Sequence, residues 1–329
     1  MLDTATVTVD LLIVGAGPTG LFAATYAGLR GLSVAVVDSL AEPGGQVSSM
    51  YPEKQIYDVA GFPAVKGRDL VDGLVTQAGR ADPTYLLQQE VTELAYDDGL
   101  PVVTTSSGVR VSCKAVVLTT GIGSFTPRPL PVGKSYEGRG LVYFVPSPEE
   151  YRDRDVVIVG GGDSAFDWAL TLEPIARSVT LVHRRDRFRA HARTVDQVLA
   201  SNVEVVTHAQ LVAVRGESWV EAADVAVEGE PEPRTFKCQG IVAALGFRAN
   251  LGALLSWGLA VEGRQLLVDT RMATNLPRVY AAGDITEYPG KVRLIAVGFG
   301  EAATAINNAA AEIDPETTVF PGHSTELSD

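Results

Sequence analysis

Sulfur and positive charge are both scarce in this 329-residue chain. Its two cysteines, Cys113 and Cys238, lie far apart in sequence. They are too few for a disulfide framework and fit a reducing, cytoplasmic setting. No metal site is expected. Lysine and arginine number 27 against 40 acidic residues, a formal charge of −13. That excludes general nucleic-acid binding and suits a soluble protein. No apolar run of about 18 residues is free of charges and glycine turns, so no membrane span is expected. The opening MLDTATVTVD has no basic stretch of the kind that begins a signal peptide. What is abundant is glycine, with 33 residues, and apolar side chains, at 46%. These suit tight turns, backbone close to ligands, and the cores of about two domains.

Residues 155–189 organise the chain. A β-branched run at 156–159 leads into Gly160-Gly161-Gly162-Asp163-Ser164-Ala165, then a segment of helical composition at 167–176 and a second apolar run at 178–183. Strand, glycine turn, helix and strand form the context in which G-x-G-x-x-A reads as a dinucleotide fingerprint, with Gly160, Gly162, Asp163, Ser164 and Ala165 at the pyrophosphate. His183-Arg184-Arg185 follows where an NAD site carries an acid for the ribose. Arginine there pairs with a 2′-phosphate, so this unit is expected to take NADPH. Residues 9–14 lead into a second fingerprint, Gly15-Ala16-Gly17-Pro18-Thr19-Gly20. Asp38 stands at the offset from Gly15 at which His183 stands from Gly160. A carboxylate accepts hydrogen bonds from ribose hydroxyls and repels a 2′-phosphate, so the first site wants an unphosphorylated adenosine ribose, as in FAD.

Residues 41–63 are rich in glycine, proline and polar groups and read as a long functional loop. Gln46 offers amide hydrogen bonds to a flavin edge, and Tyr51 or Tyr57 a ring to stack on one face. Residues 90–121 alternate like antiparallel strands around turn signals, and 121–133 reads as a linker. After the second fingerprint the plan repeats, with alternating stretches at 202–214 and 220–228 and an apolar strand ending at Gly246. Cys113 and Cys238 hold matching places in the two copies and read as packing residues. Residues 279–284, VYAAGD, are an apolar strand ending on Asp284, followed by a helical stretch at 296–311. An aspartate there can bond ribityl hydroxyls, and the helix N-terminus can stabilise negative charge on a reduced ring. The expected fold is α/β: two Rossmann-like dinucleotide-binding domains, one for FAD and one for NADPH, each with an antiparallel β-meander. Residues 1–121 and 247–329 form the FAD domain with its C-terminal tail, and 122–246 the inserted NADPH domain.

With these motifs placed, the chain resembles the thioredoxin-reductase-like flavoproteins along nearly its whole length, and among them ferredoxin–NADP reductases of that type. Gly44-Gly45-Gln46, YPEK at 51–54, IYDVAGFP at 56–63, HRRDRFRA at 183–190, Ala282-Gly283-Asp284 and the tail at 320–325 carry the resemblance. Thioredoxin reductases have a C-x-x-C dithiol just before the second fingerprint; residues 138–151 here hold no cysteine. Without one, electrons cannot leave by thiol–disulfide exchange. The resemblance therefore implies an enzyme in which NADPH gives hydride to flavin N5 and ferredoxin or flavodoxin exchanges single electrons with the flavin. It implies FAD contacts at Thr19, Asp38, Gln46, Tyr51, Val91, Phe125, Asp284 and Thr325, with Tyr51 on one face of the ring and His323 over the other. Arg184, Arg185 and Arg189 match its 2′-phosphate contacts, and it implies a homodimer. Lys54, Lys66, Arg68, Lys291 and Arg293 are candidates for docking an acidic carrier. Two other readings are weighed: an NADPH-dependent reductase of a small-molecule disulfide, weakened because GAGPTG lacks a cysteine, and a non-catalytic redox sensor.

Overall fold

The strands around the first glycine motif, LLIV at Leu11–Val14 and VAVV at Val34–Val37, are short and wholly apolar. Such runs belong in a parallel sheet buried on both faces. The computed structural model of the chain, which describes residues 5–145 and 147–323, has that arrangement. A five-stranded parallel sheet runs in the order Val279–Ala281, Ala115–Leu118, Leu11–Val14, Val34–Val37, Thr84–Leu86. Side chains alternate between its faces as the strand period of two requires. Leu11, Ile13, Val34, Val36, Ala115 and Val117 enter a core shared with the helices Pro18–Leu29, Gly67–Ala78 and Ile295–Ile313. Leu12, Val14, Ala35, Val37, Val116 and Leu118 enter a second core shared with Val91, Val103, Val111 and Leu254. The strands Val91–Asp97, Leu100–Thr105 and Arg110–Ser112 pair antiparallel over that face, and Thr6–Thr8 adds a parallel edge.

The chain divides into two units, Met1–Ser124 with Ala249–Asp329, and Phe125–Arg248. The second repeats the plan of the first. Its parallel sheet runs Leu141–Val142, Gly240–Ala244, Asp155–Gly160, Ser178–Val182, Glu204–Val206. Val156, Ile158, Val179 and Leu181 pack with Phe166, Trp168 and Leu172 of the helix Asp163–Leu172. Val157, Val159, Val182 and Ile241 face the antiparallel strands Ala209–Arg215 and Ala222–Val227. Both units are therefore Rossmann-like α/β folds with an antiparallel meander. Among the described residues no helix is long and apolar enough to cross a membrane.

Two stretches differ from the sequence reading. The long loop at 41–63 contains the helix Gln46–Met50 and the strand Gln55–Ile56, which pairs antiparallel with Val65–Lys66. A single turn and a two-residue strand are too short to leave a periodic signal. The linker at 121–133 contains the strand Ser124–Pro127, which pairs with Phe247–Asn250.

Phe166 is completely buried in the core of the second unit. Phe166→Ala should cost about 3–5 kcal/mol of stability, read from denaturant unfolding. Tyr57→Ala, at a ring 73% exposed, should stay within about 0.5 kcal/mol of the parent.

Candidate functional site

In the first glycine turn each glycine answers a different steric demand. Gly15, at φ +108°, lies so close to the end of the neighbouring strand that a β-carbon would stand 2.5 Å from the Thr119 carbonyl oxygen. Gly20 begins the helix Pro18–Leu29 tightly against the turn, where a β-carbon would meet the Gly15 oxygen at 1.8 Å. Gly17, at the N-cap, faces open space, with nothing within 4 Å of a built β-carbon. The outer two glycines pack the turn, and the middle one leaves room for a pyrophosphate over the free N–H groups of the helix. Pro18, at the first helical position, forfeits only an N–H that has no partner there.

Around this turn the first unit gathers most of the residues expected there. The Asp38 carboxylate accepts the Ala16 N–H at 2.6 Å and the Leu40 N–H at 2.8 Å. It is thereby locked at the turn, while burial holds its pKa above the ordinary carboxylate value. The Gly44-Gly45 turn folds onto the loop: Gly44 N–H donates to the Ala16 oxygen at 2.8 Å, and a β-carbon on Gly45 would lie 3.0 Å from Gly17 Cα. Gln46 is next in the chain, its amide nitrogen 3.1 Å from a β-carbon built on Gly121. Thr19 is wedged between Gly283 and Gly298, whose built β-carbons would approach its hydroxyl to 2.9 and 2.5 Å. That seats the Asp284 turn and the first turn of the helix Ile295–Ile313 beside the glycine loop. The Tyr51 phenol is pushed up to about 12, first by burial and then by the carboxylates of Asp284 and Asp58. Burial likewise raises Asp284, against the pull of Lys291 and Arg293. The Val91 side chain is spent in the core, which leaves its backbone for any ligand contact. Thr325 and the Phe125 side chain lie outside the described residues.

The second turn repeats the design. A β-carbon on Gly160 would meet the Ala244 oxygen at 2.4 Å and Ala165 Cβ at 2.9 Å, whereas Gly162 opens onto space at the N-cap of Asp163–Leu172. The chain then curls back over it: Arg189 N–H donates to the Gly161 oxygen at 2.7 Å, and His191 N–H to Asp163 Oδ1 at 2.8 Å. Ser164, Arg184, Arg185 and Arg189 remain exposed. His183 does not join the arginines as a cation. Its ring occupies the space beside Gly161, 2.2–2.5 Å from where a β-carbon would sit, and its pKa is lowered by burial and then by Arg184 and Arg185.

Several functional features escape sequence reasoning. The Thr120 hydroxyl, beside Gly15, is buried with no hydrogen-bond partner, a polar atom left for a ligand. Lys291 is not a surface cation: its side chain is 1% exposed and ion-paired with Glu301, which is 5% exposed. Lys66 and Arg68 share Glu53, and Arg293 pairs with Glu287. Four of the five candidate docking cations thus share three carboxylates, which leaves little net positive charge among them. The described tail is held far from the glycine loop. Arg30, capping the C-terminal end of Pro18–Leu29, donates to the Thr318 oxygen at 3.0 Å and to Asn307 Oδ1 at 3.2 Å. The His323 ring packs edge-on to Phe320, centroids 5.3 Å apart. Cys113 and Cys238 are free and buried, their thiols pushed up to about 12 by burial.

A family model for pyridine nucleotide-disulphide oxidoreductases matches residues 9–309. The chain belongs to the pyridine nucleotide-disulphide oxidoreductase family. A ferredoxin–NADP reductase of a Nocardioides species is 66% identical over 324 residues, covering 97% of this chain and 98% of the relative. That of Frankia alni is 61% identical over 315 residues, covering 96% and 98%. The thioredoxin reductase of T. acidophilum, 24% identical, matches with a TM-score of 0.76 over 93% of this chain and 98% of its own, a likeness of fold. As a member of this oxidoreductase family the chain uses FAD and NADPH. The residues present fit both groups: each loop has an open middle glycine at a helix N-terminus, and the first adds the unpartnered Thr120 hydroxyl.

Because Gly17 faces open space, Gly17→Val should leave the apoprotein folded and weaken FAD binding at least tenfold. Titration of apoprotein with FAD, beside a melting curve, separates the two. Cys113→Ser with Cys238→Ser should retain flavin content and NADPH oxidation; loss of turnover in a folded, yellow double variant would place a thiol on the electron path.

Proposed function

We propose that this chain is a ferredoxin–NADP reductase, passing electrons between NADPH and a one-electron carrier, ferredoxin or flavodoxin. The observation that carries this reading is the pairing of two dinucleotide turns of opposite charge preference with two inert thiols. Asp38 stands at the first turn and Arg184 and Arg185 come after the second. Burial keeps both cysteines protonated near neutrality, and the thiolate is the reactive form, so neither supports thiol–disulfide exchange. The relatives that match along almost the whole chain are ferredoxin–NADP reductases.

When bound, FAD would supply hydride acceptance and one-electron release, chemistry that belongs to the cofactor. The protein binds, orients and shields. In the first unit Gly15, Gly17 and Gly20 shape the pyrophosphate seat, Asp38 takes the ribose, Gln46, Val91, Phe125 and Thr325 add contacts, Asp284 takes the ribityl chain, and Tyr51 covers one face of the ring. In the second unit Gly160, Gly162, Asp163, Ser164 and Ala165 seat the NADPH pyrophosphate, and Arg184, Arg185 and Arg189 the 2′-phosphate. Hydride transfer itself would need no acid–base residue, and the proton left over when a hydride is converted into two single electrons would pass to solvent.

The enzyme works as a homodimer, and His323 covers the face of the flavin opposite Tyr51. Arg30 and Asn307 hold the tail at the C-terminal part of two helices whose first turns carry Thr19 and Gly298. Eleven residues separate Thr19 from Arg30, a rise of about 16 Å at 1.5 Å per residue. The five residues from Thr318, which Arg30 holds, to His323 extend at most about 18 Å, enough to run back along that helix.

NADPH-driven cytochrome c reduction, measured with and without added ferredoxin or flavodoxin, tests the main reading: the carrier should accelerate it. Arg184→Ser with Arg185→Ser should raise KM for NADPH tenfold or more while leaving NADH unaffected, since a charge-assisted contact is worth about 1.5–3 kcal/mol. Equal effects on both cofactors would remove the arginines from the phosphate site.

A further inference from the structure

The turn that carries Asp284 is gripped from within the protein. Gly283, at φ +85°, donates its N–H to Glu301 Oε2 at 2.7 Å. Its carbonyl oxygen accepts from Lys291 Nζ at 3.0 Å, from Thr286 N–H at 3.0 Å and from the Thr286 hydroxyl at 2.8 Å. Lys291 and Glu301 are themselves ion-paired, and both side chains are buried. Tyr288 donates its hydroxyl to Glu301 Oε1 at 2.5 Å and lays its ring 5.5 Å from the Lys291 ammonium. Both backbone polar groups of one glycine thus end on opposite members of one buried ion pair. Glu301 lies on the helix Ile295–Ile313, one turn beyond Gly298, which touches Thr19 of the glycine loop.

A buried ion pair is a poor device for stability alone, because desolvating both charges offsets much of their attraction. This one replaces lost hydration with three further hydrogen bonds, two to the Gly283 turn and one to the Tyr288 ring. We propose that Lys291 and Glu301 are positioning residues: they clamp the Gly283–Asp284 turn against the bound flavin, and their two charges tune its reduction potential in opposite senses. This rests on the flavin reading of the site. Burial raises the Asp284 pKa most, Lys291 and then Arg293 lower it, and Glu301 raises it, so whatever lies on Asp284 also sits in the field of the pair. With both members present their charges oppose each other. Removing one leaves the other uncompensated in a medium where charge is poorly screened.

Lys291→Met, Glu301→Gln, the double variant and Glu301→Asp, each prepared as the full chain, test this by apoprotein titration with FAD and by dye equilibration of the holoenzyme. Each neutralising single variant should weaken FAD binding at least tenfold. Lys291→Met, leaving a bare carboxylate, should lower the midpoint potential; Glu301→Gln, leaving a bare ammonium, should raise it. A tenfold change in the affinity ratio of reduced to oxidised FAD corresponds to about 30 mV for the two-electron couple. The double variant should return towards the parent potential. Glu301→Asp keeps the charge but shortens the reach to Gly283 N–H, so it should lose affinity severalfold at an unchanged potential; it keeps the test decisive if a single neutralised variant does not fold. Potentials that move the same way in both neutralising variants, or affinities within twofold of the parent in all, would overturn the clamp. A parent protein that binds no FAD would instead overturn the flavin reading itself.

Discussion

At the first glycine of each dinucleotide turn a backbone carbonyl occupies the space where a side chain would begin. Gly15 lies against the Thr119 oxygen and Gly160 against the Ala244 oxygen, at distances no β-carbon tolerates. Each contact joins a glycine turn to the end of the adjacent parallel strand, which fixes where the following helix starts. Once that is fixed, the middle glycine must face outward from the sheet's carboxyl end, at the N-terminus of a helix whose first N–H groups have no partners. A site for a phosphate group is thus a consequence of packing a parallel sheet this closely. The same constraint selects glycine or alanine at the third position, because Gly20 and Ala165 stand on the very residues that open their motifs.

The two turns are built alike, so discrimination between nucleotides falls to the residues just after the second strand of each unit. Asp38 is held by two backbone N–H groups and belongs to the turn's own structure. A 2′-phosphate there would face a carboxylate that cannot swing away. The second unit keeps its arginines exposed and uses His183 differently, as a ring filling the gap left by Gly161. The histidine packs beneath the loop that presents the arginines and burial lowers its pKa, so on the proposed assignment phosphate recognition falls to the arginines.

The two fingerprints, the repeated meander and the apolar strands were legible because each is a local pattern, short in sequence and strict in composition. Residues that meet only through the fold were not. Lys291 in a loop reads like any surface lysine, and only burial against Glu301 reveals its role. Arg30 reaches Thr318 across nearly the whole chain, and no local periodicity encodes that. The helix Gln46–Met50 escaped for the opposite reason: it is local, but one turn long, begun by a glycine at φ +57° inside a stretch of glycine and proline. Thr120 gave no signal at all, since an unpartnered hydroxyl is defined by what surrounds it.

These pairings change the electrostatic picture of how a carrier meets the enzyme. Five basic residues in loops of the first unit suggested a positive docking patch for an acidic carrier. Yet Lys66 and Arg68 both end on Glu53, Arg293 on Glu287, and Lys291 is buried. A cation paired with a carboxylate contributes little field beyond a few ångströms, and salt screens what remains. The chain as a whole carries −13. Long-range attraction to an acidic carrier is therefore weak, and an encounter depends on short-range complementarity more than on steering. The exposed rings of Tyr57 and Phe62, with Val292 and Leu294 also exposed, belong to the loops that carry these neutralised pairs. Apolar contact there does not require the like-charged partners to overcome more than their screened repulsion, which is a less demanding condition than building a positive patch on an acidic protein.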